Sequence, residues 1–445
     1  MAGAQAGARR LTPDLAGGRG GGLPAILFAP ERRAPGDLRR RGPRAAGHEA
    51  KEQMGKAILS GKGRRWLMRG HPWVYHDDVA EADGTPGELV PVEDPNKNPL
   101  GWGLYSDASR IRLRMVTREA EQPNRAFWAR RMASAIERRR LHGMLAEDGA
   151  CRLVGGDADG FPGLVIDRYA KTLVIQSGCQ GSDRMRDFLV EVLLEALDFE
   201  PDAIVDRSDA SVRKLEKLDP RIEILRGDVQ APVLVNDAGL IYEVDVLQGH
   251  KTGHYLDQSR NRVKAAQFAK GKRVLDAFAY DGLFGLHAAL AGAESVVCLE
   301  QNRAAGERIL ANAERNGLLD RVRVERVDCM KDLRARAENK EKYGLVVVDP
   351  PAFARSKREV DGAERGYVEL NRRAFDVVEP GGTVVSASCS YNVSPAAFVQ
   401  YVGKASHLAG RSAWLESLEK AAPDHPHLAT LPESDYLKCA FLRVE

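Results

Sequence analysis

The spacing of apolar and polar positions changes repeatedly along this chain, and each change predicts a different kind of structure. Residues 1–53 ("GGRGGGLPA", "RRRGPRAAG") are rich in Gly, Ala, Pro and Arg with almost no apolar period, so they cannot bury a core and read as a disordered extension. Met54 opens the first foldable segment and suits a translation start, with an Arg-rich targeting peptide as the alternative. From about 56 to 120, short β-branched runs ("WVYHDDV", "GELVPVED", "LGWGLYS", "RIRLRMV") are separated by Gly, Pro and Asp turns, which predicts a small β-barrel over 54–122. "RAFWARRMASAIERRRLHGML", 125–145, has helical spacing and predicts a connecting helix. Residues 123–264 then read as this helix and a central α+β domain. It has two strands around the Gly-Pro turn of "CRLVGGDADGFPGLVIDRYAKTLVIQS", a helix in "RMRDFLVEVLLEALDF" and a strand in "GLIYEVDVLQG".

Beyond 265 the period settles into strict alternation. Strands in "RVLDAFAY", "SVVCLEQ", "VRVERVDC", "GLVVVDPP" and "GTVVSASCS" are interleaved with helices over 283–292, 303–316, 363–378 and 395–407. Alternating βα units predict a parallel sheet with helices on both faces, so the fold class is α/β, with a Rossmann-like domain over 265–445. Ligands in such sheets bind beyond the carboxyl ends of the strands. The residues to question are therefore those that follow each strand.

Composition narrows the setting. No run of about 18 apolar residues occurs and the start lacks an apolar signal core, so a cytoplasmic protein with no membrane partner is expected. The six cysteines form no CxxC pair, and His425 and His427 lack further ligands nearby, which gives no reason to expect a disulfide framework or a metal. A net charge of +3 is too mild to show a nucleic-acid partner. Its distribution says more: Lys56, Lys62, Arg64, Arg65 and Arg69 precede "GHPWVY" with no acid among them, which suits a surface that grips RNA phosphates. A solvated charged edge with Trp73 in the core would give the same pattern.

At the strand ends, "DAFAYDGLFG" places Asp276 before a glycine-interrupted turn, with neither a GxGxxG fingerprint nor a P-loop. A carboxylate here repels phosphate and favours a cationic ligand. Glu300 ends the next strand, where an acid can accept from both ribose hydroxyls, and Asp328 ends the third, where it suits an adenine amino group. Three acids in succession describe a pocket for S-adenosylmethionine.

"GRRWLMRGHPWVY", "DADGFPGLVIDRY", "GHKTGHYLDQSRNR", "VLDAFAYDGLFGLHAA", "VVVDPPAFARSK" and "SASCSYNVS" together resemble one family: class I methyltransferases that modify ribosomal RNA at cytosine C5 and carry an N-terminal PUA domain. The resemblance spans about 56–445. It implies a PUA fold for 54–122, S-adenosylmethionine as cofactor and large-subunit ribosomal RNA as partner. It further implies that Asp276, Phe278, Gly282, Gly285, Glu300 and Asp328 hold the cofactor, and that "KTGHYLDQSRNR" packs over it through Tyr255 and Gln258, although an interdomain hinge would read alike. The chain departs from the familiar forms at Asp281, where Thr is usual, and at His254–Tyr255, where two aromatics are common.

Cytosine C5 is too weakly nucleophilic to take a methyl group from a sulfonium, so the ring needs a temporary covalent partner at C6. A thiolate is a strong nucleophile and a good leaving group. Cys389, after the strand next to the Asp-Pro-Pro strand, is the expected nucleophile. Asp349 is expected to hydrogen-bond or protonate the base at N3, and the rigid Pro350–Pro351 segment to hold backbone acceptors beside the flipped base. Lys62, Arg64, Arg65, Arg69 and Lys357 are the expected phosphate contacts, with Arg355 and Arg358 beside the last. Three other readings stay open: exocyclic-amine methylation of guanine-N2 type, where an aromatic usually follows Asp/Asn-Pro-Pro and here Ala352 intervenes before Phe353; a non-catalytic RNA-binding assembly factor; and a protein or small-molecule methyltransferase. Neither the target nucleotide nor the oligomeric state, a homodimer included, is legible in the chain.

Overall fold

The computed structural model describes residues 54–229, 231–354 and 359–445. The expected disordered extension and the expected contact Lys357 lie outside them. The first sheet contains β1 (Ala57–Leu59), β2 (Trp73–Tyr75), β3 (Val79–Ala82), β4 (Leu89–Glu93), β5 (Pro99–Tyr105) and β6 (Ile111–Thr117), in the order β2-β6-β5-β4-β1-β3. Alternation in β4, where Val90 and Val92 are fully buried, turns one face onto Leu59, Leu67 and Leu113. Lys62, Arg64 and Arg65 of the basic run fall in α1 (Gly61–Leu67), whose cap Ser60 accepts from the Gly63 N–H.

After α2 (Arg125–Leu141) come β7 (Ala150–Gly155), β8 (Leu164–Tyr169), β9 (Thr172–Ser177), α3 (Gln180–Arg184), α4 (Arg186–Ala196), β10 (Ala203–Ser208) and β11 (Arg221–Gly227). The five strands form one mixed sheet, β11-β10-β9-β8-β7. Two strands were expected where β7, β8 and β9 lie. The missed turn joins β8 to β9 through Ala170 at φ 50°, a conformation that the usual Gly or Asn did not announce. A hairpin, β12 (Val233–Asp237) and β13 (Leu240–Val244), and α5 (Ser259–Ala266) lead into the last sheet.

That sheet is built from β14 (Arg273–Ala277), α6 (Leu283–Leu290), β15 (Ser295–Leu299), α7 (Arg303–Arg315), β16 (Val322–Glu325), α8 (Cys329–Glu338), β17 (Tyr343–Val348), α9 (Val360–Val377), β18 (Val378–Ser388), α10 (Pro395–Leu408), β19 (Ala413–Glu419) and β20 (Lys438–Val444). Its order is β16-β15-β14-β17-β18-β20-β19. The fold class is thus α/β and Rossmann-like, as expected. Strands β14 to β18 run parallel, but β20 is antiparallel to both neighbours, because β19 returns to it without a helical crossover. The strand order reverses between β14 and β17, which puts the ligand crevice at their carboxyl ends. Helix α8 was not expected. The strand reading ran through "RVDC", whereas the strand stops at Glu325 and Asp328 caps the helix by accepting from the Lys331 N–H.

Candidate active site

A cavity of about 640 Å³ opens at that reversal. Phe278, Glu300, Tyr255, Gln258, Asp349, Pro350, Pro351 and Cys389 all line it, so the fold gathers residues from four strand ends and from the segment before α5. The turn after β14 holds Phe278 at φ 62° and Tyr280 at φ 50°, a conformation costly for aromatic residues. It is tied down by Tyr280 N–H to Glu300 Oε2 at 2.8 Å and by Phe278 N–H to Cys329 Sγ at 3.3 Å. Glu300 Oε1 accepts from the Asn302 N–H.

Asp276, Gly282 and Gly285 support this wall from behind. Asp276 is 1% exposed, accepts from the Gly285 N–H at 2.8 Å, and is pushed up to about 7 by burial. A Cβ on Gly285 would lie 2.8 Å from Cys298 Sγ, so glycine lets α6 seat on β15. Gly282, at φ 69°, starts α6 where a Cβ would lie 2.8 Å from Ile309. Asp328, engaged as the α8 cap, stands beside the cavity through its neighbour Cys329.

At the other end, Asp349 follows β17 and Cys389 follows β18, on adjacent parallel strands. Burial pushes Asp349 up to about 6; the negative charge of Asp257 adds to this, and the Gln258 amide, donating at 3.0 Å, opposes it. Cys389 is the one cysteine of the six that is not buried. Burial of its surroundings, then Asp349, raises its thiol, and Lys251 counters them. The cysteine is strung between two anchored serines. Ser388 donates to the buried Tyr367 hydroxyl at 2.8 Å, Ser390 Oγ lies 3.0 Å from that hydroxyl, and Lys438 Nζ donates to the Ser390 carbonyl at 2.6 Å. Lys438 is itself buried, which lowers its ammonium to about 8. These supporting residues come from α9 and β20, and nothing local in the sequence announced them.

The two departures from the familiar pattern meet. His254 Nδ1 lies 3.0 Å from Asp281 Oδ2, and Arg308 donates twice to Asp281 Oδ1. Against burial, His254 and Arg308 hold the Asp281 carboxyl below its usual range, so the pair is a buried polar contact in the cavity wall.

Residues 194–433 match the family of S-adenosylmethionine-dependent methyltransferases. The chain belongs to that family. Residues 57–118 match the PUA-like domain, which is the first sheet. A relative from Shewanella amazonensis, "Ribosomal RNA large subunit methyltransferase I", is 41% identical over 386 residues, 85% of this chain and 96% of the relative. One of the same name from Aeromonas hydrophila is 37% identical over 399 residues, 88% of this chain and all of the relative. A crystal structure of the methyltransferase SMU.776 complexed with SAH superposes with a TM-score of 0.76 at 20% identity, covering 87% of this chain and 99% of that one. A Streptococcus mutans methyltransferase gives 0.74 at 19% with the same coverage.

The cofactor of this methyltransferase is therefore S-adenosylmethionine, and the cavity fits it: acids suit its positive charges, and Phe278, Phe284 and Tyr255 supply apolar wall. The methyltransferase's basic residues lie elsewhere, Lys62, Arg64 and Arg65 on α1 and Arg69 just after it. Lys62 pairs with Asp78 at 2.7 Å and Arg64 with Asp94 at 3.4 Å, whereas Arg65 and Arg69 are exposed. The acids come from later strands and turns, which is why the run looked uncompensated. Trp73 is neither core nor free surface: its Nε1 donates to Asp157 at 2.7 Å, in the turn between β7 and β8. Among the described residues no helix is long and apolar enough to cross a membrane.

Proposed function

We propose that this methyltransferase forms 5-methylcytosine in large-subunit ribosomal RNA through a covalent Cys389–cytosine adduct. The observation that carries the reading is the placement of Cys389 and Asp349 at adjacent strand ends in one cavity with the cofactor wall. The relatives' names support the RNA, and the PUA-like domain supports an RNA grip.

S-adenosylmethionine supplies an electrophilic methyl group. The protein must make C5 nucleophilic. Cys389 releases its proton to solvent, favoured by the positive charges of Lys251 and Lys438, and its Sγ adds to C6. Electrons then accumulate toward N3, where Asp349, protonated below about pH 6, donates. Once C5 carries its methyl group, solvent takes the C5 proton, the Sγ–C6 bond breaks to release Cys389 as the thiolate, and Asp349 recovers the N3 proton. Asp257 favours cytosine over uracil: its Oδ2 accepts from Lys251 and Tyr436, while its Oδ1 is buried, without a partner, on a residue that lines the cavity, as an acceptor for the cytosine amine requires.

Phe353 counts against the exocyclic-amine reading. Its ring is partly buried and packs on Tyr367 at 4.7 Å and against Gly366, against the core, which holds it away from the stacking position that reading requires. Nucleoside analysis of ribosomal RNA methylated by the purified chain tests the proposal. 5-Methylcytosine is expected; N2-methylguanosine would overturn it.

A further inference from the structure

Asp257, Asp281, Glu300 and Asp349 line the cavity. These carboxylates suit the sulfonium and the α-ammonium of S-adenosylmethionine but repel its own carboxylate, so the cofactor's negative end needs a cation. Lys251 is already paired with Asp257 at 2.9 Å. His254 is held below its usual value by burial and then by Arg262, and its Nδ1 is already engaged with Asp281 at 3.0 Å.

Arg262 on α5 remains. It lines the cavity and is 4% exposed. Its Nη2 donates to the Tyr255 carbonyl at 2.5 Å, whereas its Nη1 is buried and meets no hydrogen-bond acceptor. A buried charged donor left unmet is costly, so this nitrogen marks a place where an acceptor belongs. The charge of Arg262 reaches Asp276 on β14 and Asp349 after β17, on either side of the strand reversal. Among the described residues, however, Arg262 forms no ion pair with either, as a guanidinium serving only to balance them would.

We infer that Arg262 receives the methionine carboxylate of S-adenosylmethionine on Nη1. With Tyr255 fixing Nη2, the guanidinium is oriented before the cofactor arrives, and the carboxylate fixes which way the methionine arm lies. The inference rests on the cofactor alone and holds whichever base is methylated.

Calorimetric titration of the full chain, without RNA, tests it with two ligands: S-adenosylhomocysteine and its decarboxylated counterpart, which keeps the adenosine, the thioether and the amine. The parent is expected to prefer the carboxylate-bearing ligand by about tenfold to a hundredfold, the range for a hydrogen bond between charged groups. Arg262→Met is expected to lose that factor for S-adenosylhomocysteine and to bind the decarboxylated ligand within about threefold of the parent, so that the preference collapses. A preference undiminished in Arg262→Met overturns the inference. Should that variant's melting curve show that it does not fold, Arg262→Gln carries the same criterion. The parent alone can also overturn the inference: equal affinity for the two ligands means that no cation meets the carboxylate.

Discussion

Replacing Asp276 with Asn should stabilise the cofactor-free chain, and by an amount that depends on pH. The carboxyl is 1% exposed, its Oδ2 accepts one neutral N–H, from Gly285, and burial pushes it from the ordinary 3.8 up to about 7. Below pH 3.8 both folded and unfolded chains hold the proton, and the group costs nothing. Between 3.8 and about 7 the unfolded chain releases the proton while the folded chain keeps it, so stability falls as pH rises. Above about 7 the full cost applies. A gap of roughly 3 pH units at about 1.4 kcal/mol each amounts to about 4 kcal/mol at pH 8, against about 1.6 kcal/mol at pH 5. Asn keeps an oxygen for the Gly285 N–H and cannot ionise. Denaturant unfolding of the parent and Asp276→Asn, without cofactor, should show the variant's advantage growing by about 2–3 kcal/mol from pH 5 to pH 8. An equal difference at the two pH values, or a variant less stable than the parent at pH 8, would refute the reasoning.

Gln258→Leu removes a donor that favours ionised Asp349, so the pH–rate limb set by that carboxyl, about 6 in the parent, should move to higher pH in single-turnover methyl transfer; a limb that stays or moves down contradicts the assignment. Neutralising Arg65 and Arg69 should lower the slope of log affinity for RNA against log salt by about 1–2, and neutralising Lys62 and Arg64 by less, since Asp78 and Asp94 already pair with them; equal effects would show that those pairs open on RNA. His254→Phe and Asp281→Thr should each destabilise the chain, and the double variant by less than their sum, with a coupling of about 1 kcal/mol or more in unfolding measurements; strict additivity would mean that the 3.0 Å contact carries no weight.

What the chain declared about itself was local. Buried parallel strands are short β-branched runs, so "GLVVVDPP" and "GTVVSASCS" placed Asp349 and Cys389 at strand ends, where β17 and β18 leave them. Where local signals compete, the reading slipped. "RVDC" continues a strand pattern, yet the ability of Asp328 to cap a helix through Lys331 decided the matter. Ala170 carries no turn signature, and β20, an apolar run like the parallel strands, gives no hint of its direction. Partnerships across long stretches of chain were invisible: Tyr367 to Ser388, Lys438 to Ser390, and Asp78 to Lys62. His254 and Asp281 could each be seen as unusual, but only the fold shows that one answers the other.

Trapping on RNA that carries 5-fluorocytosine at the target position tests the covalent role of Cys389 most directly, because fluorine on C5 cannot leave as a proton and the sulfur cannot be expelled. With S-adenosylmethionine present, the parent should form an adduct that survives denaturation and maps to Cys389. Cys329, in the same cavity with its thiol pushed up to about 12 by burial, is the internal control, so Cys329→Ser should still form the adduct and Cys389→Ser should form none and lose nearly all turnover. Methylation by Cys389→Ser at the parental rate, or an adduct that maps to Cys329, would contradict the covalent mechanism.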